Sequence, residues 1–397
     1  MQKLNTKPTR ILLPESEPLL EKPEKGKIIS VCEPLLNGNE SKYLVKCVRS
    51  NWISSKGDFI ERFESAFKKI FNTRYAVTCS SGTAALHLAL AALDIKEGDE
   101  VIIPTFTMIA TANAITYLGG KPVLVDSDPV TWNIDPGKIE GMINKHTKAI
   151  IPVHTYGLPA DMDEVVRIAK KYNLYVIEDA AEAHGAEYKQ KMAGSIGDIG
   201  CFSFYGNKII TTGEGGMVIT NTEKIAKKVK ILRDHAFSKE RHFWHKYLGY
   251  NYRMTNMQAA IGLAQIERFK ELVETRIKNS EYYSFLLRDI KGISLPPEVK
   301  GVKNVHWMYS ILIEDNFGLT RDNLRKYLAK KGIETRTFFI PIHLQPIYHK
   351  KYKSKFLIAE ELCRKGMYLP SGPTLGVREI KYIAKCIRSA QDKRRKL

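Results

Sequence analysis

Three short segments carry residue types that could do chemistry where strands give way to loops: CSSGTAALHLAL (79–90), VIEDAAEAHGA (176–186) and CFSFYGNKIITTGEGGMV (201–218). In the first, Ser81, Gly82 and Thr83 open an apolar helix. Free N–H groups and the helix dipole favour an anion there, Gly82 permits close backbone approach, and Thr83 adds a hydroxyl. The same residues also make an ordinary N-cap. In the second, Asp179 ends an apolar strand, so it is either a buried carboxylate in need of a cation or donor, or a surface turn residue. In the third, Ser203 points opposite to Phe202 and Phe204 because strand side chains alternate. Lys208 follows in a glycine-containing turn, a place where a lone lysine is solvated unless a ligand claims its amine.

Taken together, an anion cup, a strand-end aspartate and a lysine are what pyridoxal phosphate (PLP) requires: an amine to condense with the aldehyde, a carboxylate for the pyridinium nitrogen, and a cradle for the phosphate. Positioning them calls for strands alternating with helices. Strands are expected at 75–79, 100–103, 122–125, 149–153, 174–177, 200–204 and 217–220, with helices near 84–93, 108–118, 161–172 and 223–233. Phe59, Phe63, Phe67 and Ile70 recur at helical spacing ahead of them. Apolar strands of four to six residues interleaved with helices imply an α/β fold with a mostly parallel sheet covered on both faces. Met257–Leu287 reads as one long helix. Beyond about 290 the pattern is a smaller α+β domain: a strand at 309–313, a helix near 321–331 and a C-terminal helix. The expected division is an N-terminal arm (1–27), a large domain (28–270) and a small domain with a basic tail (271–397).

The segments SSGTAALHLAL, EDAAEAHGA and FSFYGNKIITTGEGG, in this order, resemble the PLP-dependent sugar-nucleotide aminotransferases of the DegT/DnrJ type, which share the aspartate-aminotransferase-like fold. GYNYRMTNMQAAIGLAQ and TRTFFIPIH extend the resemblance over roughly residues 28–390. It implies transfer of an amino group from L-glutamate to the 4-keto carbon of a nucleotide-linked 4-keto-6-deoxyhexose. FYGNKIITTGEGGMV, HFWH and GYNYRMTN are most similar to members acting on the GDP-linked mannose derivative. A dTDP- or UDP-linked keto-sugar aminated at position 3 or 4 is the alternative.

By the same resemblance, Lys208 matches the lysine that condenses with the cofactor and Asp179 the aspartate facing its ring nitrogen. Glu182 falls where relatives place a side chain against the ring, and Gly82, Thr83 and Ser203 match the phosphate contacts. Asn251 matches an asparagine supplied by the neighbouring subunit, which implies a homodimer with shared active sites. Met108 stands where relatives commonly have an aromatic, and a thioether can also pack on a π-face. Phe243, Trp244 and His245, with Arg336 and His343, are candidates for the sugar nucleotide, since aromatics cover a sugar or base and arginine takes a diphosphate bidentately. Each of these five has packing as its plainer explanation. His154 and His184, beside strand ends, read as satisfied core histidines. Related PLP-dependent sugar dehydratases resemble the family with histidine at the lysine position, so Lys208 argues against that chemistry.

The chain has 397 residues and a net charge of +19, which invites an anionic partner. The excess is uneven: residues 28–270 carry +4, whereas the last 127 carry +13. No helix-turn-helix, zinc-finger or RNA-binding signature accompanies it, so nucleic acid is not expected as a partner, and the terminal KRRKL reads as a solvated tail. Six scattered cysteines without metal-ligand spacing suggest free thiols in a reducing compartment. With neither a signal h-region nor an unbroken apolar span, the expected setting is the cytoplasm, away from the membrane.

Overall fold

The computed structural model describes residues 28–392 apart from 239, 242 and 353. The N-terminal arm expected over 1–27 and the KRRKL tail lie outside the described residues. The chain begins with helices α1 (Glu40–Arg49) and α2 (Asp58–Phe71), then alternates through β1 (Tyr75–Cys79), α3 (Gly82–Ala92), β2 (Glu100–Pro104), α4 (Ile109–Thr116), β3 (Lys121–Val125) and β4 (Thr147–Ile150). It continues through α5 (Met162–Tyr172), β5 (Tyr175–Asp179), a hairpin of β6 (Glu187–Tyr188) and β7 (Lys191–Met192), β8 (Ile199–Ser203), β9 (Gly216–Thr220) and α6 (Glu223–Leu232). Seven of these strands form one sheet in the order β1-β9-β8-β5-β4-β2-β3. Only β9 runs antiparallel to its neighbours. Strands buried on both faces need apolar side chains in both directions, which is why Val101, Ile102 and Ile103 are all fully enclosed.

The covering layer is set by helical periodicity. Phe59, Phe63, Phe67 and Phe71 lie on one face of α2 and are buried. Their rings meet β8: Phe67 and Phe202 have centroids 5.0 Å apart, and Phe63 and Phe204 5.1 Å. Aromatic pairs such as these, the first of them edge-to-face, add to area burial. Because Phe202 and Phe204 point into that layer, Ser203 is turned to the other face, as alternation requires.

The expected single helix over 257–287 is two. Arg268, at φ −111° and ψ 17°, breaks the run into α7 (Asn256–Glu267) and α8 (Phe269–Leu287). No glycine or proline marks the break. The Arg268 guanidinium reaches forward to Glu271 at 2.6 Å, holding the first turn of α8.

After α8 come β10 (Ile293–Ser294), β11 (Val302–Lys303), β12 (Tyr309–Ile313), α9 (Arg321–Ala329), β13 (Arg336–Thr337), α10 (Leu357–Lys365), β14 (Gly366–Leu369) and α11 (Val377–Asp392). A second sheet, β10-β12-β14-β13, packs on α8, α9 and α11 around Tyr283, Tyr309, Leu324 and Ile383. Ile29 belongs to this second core, its backbone N–H bonding Gly332 at 2.8 Å, while Trp307, Phe338 and Tyr348 join the first. The two cores therefore do not divide at residue 270. Among the described residues no helix is long and apolar enough to cross a membrane, and no acid, histidine or cysteine cluster could hold a metal ion. All six cysteines are free thiols.

Candidate active site

The strands β1, β2, β5 and β8 run in one direction and end on one side of the sheet, the place where open α/β sheets gather ligands. A cavity of about 350 Å³ lies there, lined by Gly82, Thr83, Met108, Asp179, Glu182, Ser203 and Lys208 among others. Seven of the eight residues expected around the cofactor are thus brought together from four strand ends.

Each is held by its local chain. Ser81 caps α3 by accepting the Ala84 N–H at 3.1 Å, so the Gly82 and Thr83 amides head a helix at the cavity wall. A Cβ on Gly82 would lie 2.7 Å from Ser203 Cβ, so glycine is what allows β8 and the helix start to meet. Gly82→Ala forces these apart. Although alanine is worth about 1 kcal/mol over glycine inside a helix, overpacking of this kind costs about 1–3 kcal/mol. PLP affinity of the apoprotein, titrated by absorbance, should fall by about tenfold or more, equivalent to about 1.4 kcal/mol. An unchanged dissociation constant would remove the cradle from this position.

Asp179 is buried at the end of β5. Its Oδ2 accepts the Thr111 hydroxyl at 2.8 Å and its Oδ1 the Ala181 amide at 3.3 Å. Burial pushes the carboxyl above the usual carboxylate range, with the Thr111 and Ala181 donors and nearby Lys208 working the other way. Such a group gains from a cationic partner. Its neighbour Glu178 faces the opposite side of the strand, where it accepts N–H groups of Gly194, Ile196 and Gly197 at 2.6–2.7 Å and meets His154 Nε2 at 2.9 Å. His154 is thereby the satisfied core histidine the sequence suggests. His184 is also in the core, between Phe202 and Phe204, but among the described residues neither ring nitrogen has a side-chain hydrogen-bond partner. Burial drives its pKa down to about 3, so the ring is neutral.

Lys208 sits in the loop between β8 and β9. Its Nζ is 3.9 Å from Glu182 and 3.7 Å from the centre of the Trp307 ring. Burial lowers the amine below the usual lysine value, while Glu182 and Asp179 oppose that shift. Glu182 is raised by burial, against the pull of Lys208 and of the Tyr156 amide bonded to it at 2.8 Å. That amide is presented by a backbone at φ 54°, an uncommon conformation for tyrosine.

The fit to PLP rests on these features: a helix N-terminus that only glycine lets approach β8, a buried carboxylate with no cation in salt-bridge contact among the described residues, and a buried amine with no hydrogen-bonded acid among them. Trp307, Tyr156 and Thr111 were not singled out from sequence. Thr111 lies three residues past Met108 and carries no distinguishing signal. Met108 itself is half exposed at the cavity edge, just ahead of α4.

The remaining candidates do not line this cavity. Asn251 is exposed, bridged through its backbone to Asp234. Phe243, Trp244 and His245 occupy an exposed loop, with His245 Nδ1 2.6 Å from the His235 carbonyl and Arg241 over the Trp244 ring. Arg336 is exposed and paired with Glu334 at 2.5 Å, at the rim of an adjoining cleft that shares Tyr205, Asn207 and Tyr368 with the cavity. His343 is buried with both ring nitrogens engaged, Nδ1 at 2.7 Å from Thr105 Oγ1 and Nε2 at 3.2 Å from Glu360. It packs the fold, and the structure does not bring it to the site.

Fold and site together define an enzyme that carries its chemistry on PLP. The chain belongs to the DegT/DnrJ/EryC1/StrS aminotransferase family, whose model matches residues 34–388. It is 46% identical to GDP-perosamine synthase of Escherichia coli O157:H7, covering 91% of this chain and 98% of that one. It is 47% identical to GDP-perosamine synthase of Caulobacter vibrioides, over 86% of this chain and 93% of the relative. Among solved structures it resembles the PLP form of Streptococcus pneumoniae Spr1654, assigned as a sugar aminotransferase. The TM-score is 0.86 at 27% identity, covering 92% of this chain and 99% of the other.

Proposed function

We propose that this aminotransferase moves the amino group of L-glutamate to the 4-keto carbon of GDP-4-keto-6-deoxy-D-mannose, giving GDP-perosamine, and works as a cytoplasmic homodimer with shared active sites. The observation that carries the transamination is the Lys208 amine, buried beside Glu182 and Trp307 in a cavity that also holds the α3 N-terminus and Asp179. Choice of the GDP-linked sugar is supported by 46–47% identity, over most of the chain, to two GDP-perosamine synthases. Pairing is supported by Asn251, Phe243 and Trp244 lying exposed outside their own chain's cavity.

When bound, PLP supplies an electron-withdrawing ring that takes up the electron pair left as a proton leaves Cα of the amino donor. The side chains do the rest. Lys208 Nζ accepts that proton and later returns one to the sugar's C4, acting as base and acid in turn, and the burial that lowers its pKa works in favour of the neutral amine. Asp179, oriented by Thr111, would face the ring nitrogen and favour its protonated form. The amides at the start of α3, with Thr83 and Ser203, would hold the phosphate.

The test is a transamination assay with L-glutamate and a panel of nucleotide keto-sugars. Turnover with the GDP-linked 4-keto-6-deoxymannose should exceed that with dTDP- or UDP-linked sugars by at least about 10²-fold in kcat/KM, a difference of about 2.7 kcal/mol in transition-state binding. Turnover with a dTDP sugar alone would reassign the substrate and leave the family intact.

A further inference from the structure

Arg276, in α8, is 2% exposed, and among the described residues no carboxylate pairs with it. A buried guanidinium without an acid is costly unless its donors are well used. Here every described bond but one goes to a backbone carbonyl. Nη1 donates to Trp307 at 2.7 Å and Ser371 at 3.2 Å, and Nη2 to Asn207 at 3.4 Å and Lys208 at 3.3 Å, with Cys32 Sγ at 3.3 Å. The Asn207 carbonyl is a meeting point, since it also accepts Trp307 Nε1 at 2.9 Å and the Cys32 thiol at 3.5 Å. The peptide that carries Lys208 is therefore clamped by groups that lie 68 to 175 residues away in sequence.

We propose that Arg276 is a positioning residue for transamination: it fixes the Asn207–Lys208 peptide against the loops holding Trp307 and Ser371, and sets its positive charge, which no acid among the described residues pairs, against the Lys208 backbone carbonyl at 3.3 Å. The proposal rests on Lys208 being the amine that takes up PLP. Two consequences follow from one side chain. Fixing the peptide sets where Nζ can reach, since a misplacement of about 1 Å costs on the order of 10²-fold in rate. The charge disfavours a second cation nearby. Groups facing Lys208 are Glu182 at 3.9 Å, Asp179, Arg276, Cys32, neutral His184 and the face of Trp307. Burial is the main cause of the lowered amine, the two acids oppose it, and Arg276 is the cation that reinforces it.

The experiment titrates the visible absorbance of the PLP-loaded protein against pH, alongside the pH dependence of the rate at which apoprotein captures PLP. Arg276→Met removes the charge and keeps the length. Both midpoints should rise by about half a unit to one unit, in line with loss of one nearby like charge. Arg276→Lys keeps the charge with fewer donors, so its midpoints should stay within about 0.2 unit of wild type. Its kcat should fall about tenfold at unchanged KM, the pattern of a lost positioning contact. Folded Arg276→Met with wild-type midpoints overturns the electrostatic half, and Arg276→Lys with wild-type kcat overturns the positioning half. Should Arg276→Met not fold, Arg276→Lys decides alone: wild-type midpoints with lowered kcat support the proposal, and any other result overturns it. Failure of the wild-type protein to gain visible absorbance with PLP would instead sink the assignment of Lys208.

Discussion

Lys208→Ala is expected to reduce turnover by on the order of 10⁴-fold or more, because in the proposed mechanism it takes away the proton carrier and the covalent anchor at once. The fold should survive. Among the described residues the side chain makes no hydrogen bond that holds another element, and its Nζ is buried at a cost that alanine does not carry. PLP should still enter through the α3 cradle and Asp179, but the cofactor, which borohydride fixes covalently to the wild-type protein as it bleaches the yellow absorbance, should no longer stay with the protein after reduction and gel filtration. Added methylamine should recover a small fraction of activity by carrying the proton in place of Nζ. Residual turnover above about a tenth of wild type would place the chemistry on another residue, since loss of a general base typically costs about 10²-fold or more.

Asp179→Asn is the second. An opposite charge in direct contact raises the pKa of a cation by about one to three units, so losing it should lower the protonated share of the ring nitrogen, and with it kcat, by about tenfold to a thousandfold. The shape of the site is kept, because asparagine can still accept the Thr111 hydroxyl now 2.8 Å from Asp179 Oδ2. The glutamate half-reaction, followed by stopped-flow absorbance, should slow throughout this range while PLP remains bound. The reverse sign applies to stability of the apoprotein. Its Asp179 carboxyl is raised by burial, so in wild type the folded state loses stability as pH rises from the ordinary carboxylate range through the raised value. Asp179→Asn should flatten that slope in the melting temperature. A half-reaction at wild-type speed would show that Asp179 does not face the ring.

Much of this site could be read from the sequence because its chemistry is concentrated in short segments. Gly82, Asp179, Ser203 and Lys208 each sit within a few residues of a strand end, and the period-2 rule alone put Ser203 on the opposite face from its phenylalanines. Residues that complete the site gave no such signal. Trp307 and Arg276 reach the lysine loop from 69 to 100 residues further along the chain. An arginine on a helix looks like a solvated charge until the helix is buried on that side. His343 shows the opposite error: a histidine in a loop beside an apolar run looked available, yet Thr105 and Glu360 occupy both nitrogens. The break at Arg268 was hidden because every residue around it is compatible with a helix.

The strand order has a bearing on how the enzyme is made. β1 delivers the turn proposed to bind the phosphate, yet in the finished sheet it is an edge strand whose only partner among the described residues is β9, paired Tyr75 to Thr220. During synthesis the N-terminal half emerges with β1 unpaired, and contacts this distant in sequence form slowly. Until residue 220 has left the ribosome, β1 offers an open edge to other chains. Slowing translation between 80 and 220 should therefore lower soluble yield more than the same delay placed after 220.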